Sequence, residues 1–175
     1  AKSGAKPKRT ILFIGFAGEE FGLLGAQAWV KAHKDKLPKI ANLFNRDGGP
    51  EPPVGISVPQ AMYDDFVKIS EPIQKIRPDY PFEVKVREPR KRPTRMGGTD
   101  ASVFAIEGVP TLGFTTEDFK GYDFDYGEIW HTERDLYTKN IPEYQEHTAT
   151  VTAIIALGVA NLDKQLAREG VYTEE

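Results

Sequence analysis

The run Thr10-Ile-Leu-Phe-Ile-Gly-Phe16 constrains the fold more than any other stretch of the sequence. It is apolar on both alternating faces and rich in β-branched and aromatic residues, the pattern of a strand covered on both sides in a parallel sheet. Such a strand wants neighbours on either hand. Directly after it, residues 17–36 (AGEEFGLLGAQAWVKAHKDK) change to helical spacing, with Phe21, Leu24, Ala28 and the stem of Lys31 on one side. The chain therefore begins with a strand, a turn and a helix.

The same alternation continues. Strands are predicted at Ile40–Phe44, Val54–Val58, Phe82–Val86 and Val109–Phe114, and helices at Gln60–Arg77, Thr99–Glu107 and Pro142–Arg168. Strands alternating with helices predict an α/β sandwich. In the last helix Tyr144, Val151, Ile154, Ile155, Gly158, Val159, Leu162 and Leu166 recur at spacings that give one long packing face. Pro142 stands where a first-turn proline belongs. A length of 175 residues suits one domain with a real core, and 39% hydrophobic against 28% charged residues excludes bulk disorder.

Composition also narrows the chemistry. A formal charge of -3 gives no global attraction to nucleic acid or anionic lipid. Between Lys85 and Arg95 six basic residues face one acid, Glu88, but the stretch is broken by Pro89 and Pro93 and lacks interleaved aromatics, so it reads as an exposed loop. The absence of cysteine excludes a disulfide scaffold, Cys-ligated zinc and a thiol nucleophile. Thr148–Leu162, the longest mostly apolar stretch, is too short for a membrane span and reads as a core helix. The chain opens on Ala1 with no apolar leader before it, which reads as a processed or excised piece of something longer.

Three acids and one histidine stand out. Glu19 and Glu20 are adjacent where the first strand breaks into a helix, between Gly18 and Gly22. The ends of parallel strands are where α/β folds place ligands. One carboxylate there could bind a metal while the other acts as a base beside it. On spacing alone the plainer role fits as well, with both acids serving the helix N-terminus. Asp47 ends a second apolar run, NLFNRDGG, before two glycines, and His131 lies in EIWHTERD after an aromatic-rich loop. Each has an ordinary structural explanation when taken singly. Together, carboxylates and an imidazole at separate strand or loop ends are the ligand types of catalytic zinc sites. His33 and His147, on the first and last helices, read as structural.

Taken in order, FIGFAGEEFGLLGAQAWV, FNRDGG, GGTDASVFAIEGVPTLGF and WHTERD resemble the two-zinc exopeptidases of metallopeptidase family twenty-eight, which include aminopeptidases and glutamate carboxypeptidases. The resemblance runs from about Arg9 to Leu162. It implies a three-layer α/β sandwich with a mostly parallel mixed sheet flanked by helices, a phosphorylase/hydrolase-like zinc peptidase fold whose N-terminal part is missing here. It also implies Glu19 as general base, Glu20 and His131 as ligands of one zinc, Asp47 as a ligand of the other, and Asp100 as an acid of the second shell or substrate pocket.

The departure from the family pattern is equally informative. Members also supply a His-x-Asp motif and a bridging Asp before the Glu-Glu pair, and neither occurs in the eighteen residues preceding Glu19. The expectation is a single domain over residues 1–175, the C-terminal portion of a peptidase catalytic domain, with half the metal site absent and the isolated chain inactive. The parent is expected to be an aminopeptidase acting on peptides, with a carboxypeptidase or glutaminyl cyclase-like relative as alternatives inside the family. A metal-free binding module that keeps the fold is the alternative outside it. A periplasmic or extracellular setting rests on the resemblance only. The exposed sheet edge left by the missing part points to a homodimer.

Overall fold

The computed structural model describes Gly4 and residues 6–173. Strands β1 (Pro53–Val58), β2 (Glu83–Val86) and β3 (Phe114–Thr116) form a sheet in the order β2-β1-β3. β1 and β2 run parallel, pairing Gly55 with Glu83 and Val58 with Val86, whereas β1 and β3 run antiparallel with an irregularity between Pro53 and Gly55. A parallel pair needs a crossover, and α2 (Tyr63–Ile76) supplies it after a 3-10 turn at Gln60–Met62. The architecture is α/β, a mixed sheet with flanking helices.

The central strand β1 is covered on both faces, as its run PVGISV requires. Ile56 and Val58 from β1, Phe66 and Ile73 from α2, and Val151 and Ile155 from α5 (Pro142–Asn161) form the larger core. Gly158 lets α2 and α5 approach closely, because a Cβ there would collide with the side chain of Ile69. The smaller core joins α1 (Leu24–Ala32) to α3 (Ala101–Ile106) through Ala26, Val30, Val103 and Phe104. Phe16 and Trp29 pack their rings on Phe104 at centroid distances of 5.8 and 5.4 Å. The buried side of α1 is thus Leu23, Ala26 and Val30, while Phe21, Leu24 and Ala28 face outward.

Three predicted strands come out differently. Thr10–Phe16 is extended but forms no strand: among the described residues no backbone hydrogen bond joins it to a neighbour. Leu12 is 63% and Phe13 92% exposed. Its composition asks for flanking strands that these residues do not provide. Ile40–Phe44 runs beside Val109–Leu112, yet only the Leu43 amide donates to a main-chain oxygen there, Pro110 O at 2.9 Å. The Asn42 side chain replaces the next rung, accepting from Leu112 N at 2.9 Å. Val109–Phe114 contributes a strand only from Phe114 onward. The last helix stops at Asn161, short of the predicted Arg168, where Arg9 turns in to donate to Leu162 O at 2.5 Å. Among the described residues no helix is long and apolar enough to cross a membrane.

The basic stretch is largely exposed but not loose. The Arg87 amide donates to Val58 O at 2.8 Å, and Arg90 forms an isolated bridge with Tyr172. His147 is fully buried and structural: its Nε2 donates to Pro53 O at 3.0 Å, and its ring stacks on Tyr80 at 3.9 Å.

Candidate functional site

The Glu19-Glu20 turn is built by its own backbone. Glu19 O accepts the amides of Gly22 and Leu23 at 3.0 and 2.8 Å, and Gly18 O accepts Leu24 N at 3.1 Å. Gly18 and Gly22 take positive φ without steric penalty, but Leu23 also does so at φ 60°, a conformation that ordinary side chains seldom adopt outside constrained sites. Gly25 then lies against the backbone of Ala17, where a Cβ would come within 2.7 Å of both N and O. The turn is therefore tight because a helix starts directly against the segment that precedes it.

His131 reaches the same place from the other end of the chain. Asp125 caps the single-turn helix α4 (Tyr126–Ile129), accepting Gly127 N at 2.8 Å. The chain then turns at His131, again with positive φ at 58°, and the ring lies 4.5 Å from that of Trp130. A clasp holds this region to α5. The Tyr144 hydroxyl donates to Asp118 at 2.6 Å, and the Lys120 ammonium lies 2.7 Å from Glu143 and 4.5 Å over the Tyr80 ring. Tyr122 donates to the other oxygen of Glu143. These contacts push the Glu143 carboxyl down to about 2, the Lys120 hydrogen bond being the largest cause.

The result is a meeting of residues far apart in sequence. His131 Nε2 stands 3.1 Å from Glu20 Oε2. Glu19, Glu20, Asp47 and His131 line one open cavity of about 1420 Å³, whose walls also include Arg46, Tyr126 and Trp130. The Glu19 carboxyl is held above its usual range, first by desolvation and then by Asp47, Glu20 and Asp100, with His131 acting the other way. Asp100 does not line the cavity. It is 8% exposed, its Oδ1 has no hydrogen-bond partner among the described residues, and burial followed by Asp47 raises its pKa. It precedes α3 as the N-cap residue but makes no side-chain cap.

The donor types are those zinc accepts, but the set is incomplete. Among the described residues no three His, Asp or Glu side chains come together closely enough to hold a metal ion. Glu20 and His131 make a pair, and a catalytic zinc takes three protein ligands. The residues present do not hold a zinc by themselves.

Sequence reasoning singled out the acids and His131 but missed the cavity's aromatic and cationic walls. Tyr126 and Trp130 belong to the aromatic-rich loop it noted, and Arg46 sits beside Asp47. The Arg46 guanidinium donates to Glu51 O at 2.7 Å and also to Gly49 O, closing the Asp-Gly-Gly turn. An arginine next to an acid at a glycine turn was the available signal.

Residues 1–155 match the sequence profile of peptidase family M28. The chain belongs to this family. Mouse carboxypeptidase Q is 24% identical over 170 residues, 94% of this chain and 32% of that protein. A "probable zinc metalloprotease" of Pyrenophora tritici-repentis is 50% identical over 42 residues, 24% of this chain and 10% of its own length. Among solved structures, an M28 peptidase precursor from Shewanella amazonensis superposes with a TM-score of 0.69 at 25% identity, covering 94% of this chain and 34% of its own. The chain spans about a third of the length of the carboxypeptidase Q proteins it matches. Its partial sheet is thus a portion of an M28 peptidase domain.

Proposed function

We propose that this chain is the C-terminal portion of the catalytic domain of a zinc-dependent exopeptidase, an aminopeptidase in the first reading, acting on peptides. The observation that carries the proposal is the single cavity faced by Glu19, Glu20, Asp47 and His131. In this reading Glu20 and His131 belong to one zinc of a two-zinc site and Asp47 to the other, and the remaining ligands come from outside these 175 residues. Asp100, whose carboxyl burial and the charge of Asp47 hold above its usual value, is an acid that backs the ligands or borders the substrate pocket. Glu19 is the general base: a carboxyl whose acidity is weakened by burial and neighbouring acids takes a proton from water more readily than an ordinary one. By itself the chain is expected to be inactive and to bind zinc weakly.

A second reading within the family is carboxypeptidase action, favoured by the name of the relatives that align over 94% of the chain. The test uses a longer protein containing this sequence beside the 175-residue chain. Zinc content is measured by mass spectrometry, and hydrolysis is followed on C-amidated and N-acetylated dipeptides. Cleavage of C-amidated dipeptides supports the aminopeptidase, and cleavage of N-acetylated ones the carboxypeptidase. Glu19→Gln in the longer protein should keep zinc and lose about 10²–10⁴-fold in turnover. A longer protein without zinc or hydrolysis would favour a binding module that keeps the fold, and equal activity in both chains would overturn the incomplete-site reading.

A further inference from the structure

The loop between β3 and α5 brings Tyr126, Trp130 and His131 to the cavity, and one carboxylate within it sets its path. Asp118 Oδ1 accepts the Tyr122 amide at 3.0 Å, and Oδ2 accepts the Phe124 amide at 3.4 Å. Between those two amides stands Asp123, in the left-handed region at φ 58°. A residue with a side chain is strained there and stays only where its surroundings over-determine the conformation. Asp118 does so from both sides. The carboxylate is itself fixed: the hydroxyl of Tyr144, a wholly buried residue of α5, donates to Oδ1 at 2.6 Å and accepts the Lys120 amide at 3.0 Å. Hydrogen bonds to an ionised acceptor are shorter and stronger than neutral ones.

Two consequences reach the candidate site. Phe124 is seated on the Asp-Gly-Gly turn, its ring filling the space beside Gly49, where a Cβ would come within 2.5 Å of Cε1. Asp125, next in the chain, caps α4 by accepting Gly127 N at 2.8 Å, and α4 leads into the left-handed turn at His131. The held stretch therefore touches the Asp47 turn at one end and delivers His131 to Glu20 at the other. We propose that Asp118 is a positioning residue of the candidate site: locked to α5 by Tyr144, it holds the turn at Asp123 and so fixes His131 and the aromatic wall against the Asp47 and Glu19-Glu20 turns. It acts through those residues and touches no substrate. Its consequence for turnover rests on the exopeptidase reading, whereas its hold on the loop does not. Every hydrogen bond in the device joins residues between 118 and 144.

The test uses a longer protein containing this sequence, as wild type and as the Asp118→Asn, Tyr144→Phe and Lys120→Met variants. Asp118→Asn keeps one acceptor oxygen but turns an NH2 donor toward groups that themselves donate. In metal-free protein, hydrogen exchange read by mass spectrometry should quicken about tenfold or more in peptides covering residues 122–131, less so in Tyr144→Phe, and not in peptides from α2. Hydrolysis of the better dipeptide substrate should lose at least about tenfold with Asp118→Asn, most of it in kcat and not in KM, since a displacement of about 1 Å costs up to about 10²-fold. Tyr144→Phe should fall between this and wild type. Lys120→Met removes the neighbouring ion pair with Glu143 but none of the hydrogen bonds to Asp118. It should lower the urea midpoint and leave loop exchange and kcat alone. Unchanged exchange in Asp118→Asn, quickened exchange with undiminished kcat, or the same losses from Lys120→Met would each overturn the proposal. A wild-type protein that hydrolyses neither dipeptide would instead fail the exopeptidase reading, and the exchange measurements would still decide whether Asp118 places the loop.

Discussion

The region around β1, α2 and α5 and the region from Thr10 to Glu20 each carry an apolar, strand-like run in sequence, yet the runs end in opposite conditions. In the first, Phe66, Ile73 and Ile155 are wholly buried, and β1 has partners on both edges. In the second, Leu12 and Phe13 face outward and the backbone pairs with nothing among the described residues. The difference lies in where the partners are in the chain. β1 finds β2 and β3 within the following 63 residues, whereas the Thr10–Phe16 run requires neighbours that residues 6–173 do not offer. Stability and site are therefore separated: the chain builds its own core, but holds its candidate site residues in turns and loops around an open cavity.

The sharpest way to break this comparison is to truncate one aromatic in each region. Phe66→Ala empties a fully buried site between α2 and the sheet and should cost about 3–5 kcal/mol. Phe13→Ala should change stability by less than about 0.5 kcal/mol, as an exposed substitution does. Both are measured by urea unfolding of the 175-residue chain in dilute solution. A large loss at Phe13 would mean that the segment is packed, and the contrast drawn above would fail.

A smaller effect is expected where the two long helices touch. Gly158→Ala places a methyl group into Ile69 and should destabilise by about 1–3 kcal/mol through overpacking. A paired Ile69→Val change should recover part of that loss, read as a shift in urea midpoint. If Gly158→Ala is neutral, α2 and α5 are farther apart than their contact implies.

Acid should also distinguish the regions, through His147. Burial lowers its pKa from the usual 6.5, and Arg77 and Lys120 add to the lowering, while the Pro53 carbonyl and Asp79 oppose it. The neutral ring uses Nε2 as donor, and Nδ1 is left without a partner among the described residues. Because the folded value lies below the unfolded one, the unfolded chain binds the proton first. Stability is thus full above about pH 6.5 and falls as pH drops below it, with a slope of at most about 1.4 kcal/mol per pH unit. Glu143 also loses its contribution in acid, but its window runs from about 4.5 down to about 2, so unfolding between pH 7.5 and 5.5 separates the two. His147→Asn should flatten the slope in that range whatever it does to absolute stability. An unchanged slope would remove His147 as the cause.

What was legible in the sequence follows the same division. The β1-α2-β2 unit and the core face of α5 were readable because their periodicity is satisfied by residues nearby. Val54–Val58 and Phe82–Val86 appear within a residue of their predicted bounds. Thr10–Phe16 was read as a covered strand and is instead extended and unpaired among the described residues, because pairing depends on partners and pattern alone does not report whether they are present. Ile40–Phe44 failed for a local reason, the side chain of Asn42 taking the place of a main-chain rung. At the candidate site, Glu19, Glu20, Asp47 and His131 were singled out by residue type at chain reversals, and all four line one cavity. The Lys120-Glu143-Tyr122 clasp was invisible, because its members are ordinary surface residues until α5 and the loop after β3 are placed side by side.

The smallest expected effect on stability concerns the site pair itself. Glu20 and His131 approach to 3.1 Å, but both side chains are more than half exposed. Exposed ion pairs contribute about 0–1 kcal/mol, because solvent screens the attraction and two side chains lose freedom in making it. Glu20→Gln should therefore shift the urea midpoint of the 175-residue chain barely beyond error. In a longer, zinc-loaded protein the same change should weaken retention of the metal, since a carboxylate ligand becomes a neutral amide. Thermal unfolding with and without a chelator reads both at once: the wild-type longer protein should lose stability on chelation, and the Glu20→Gln form should lose less. A substitution that destabilises the short chain strongly, yet leaves the chelator effect intact in the longer one, would make Glu20 a structural residue of the turn. The proposed division between a core built by these residues and a metal site that draws further ligands from elsewhere would then have to be redrawn at the Glu19-Glu20 turn.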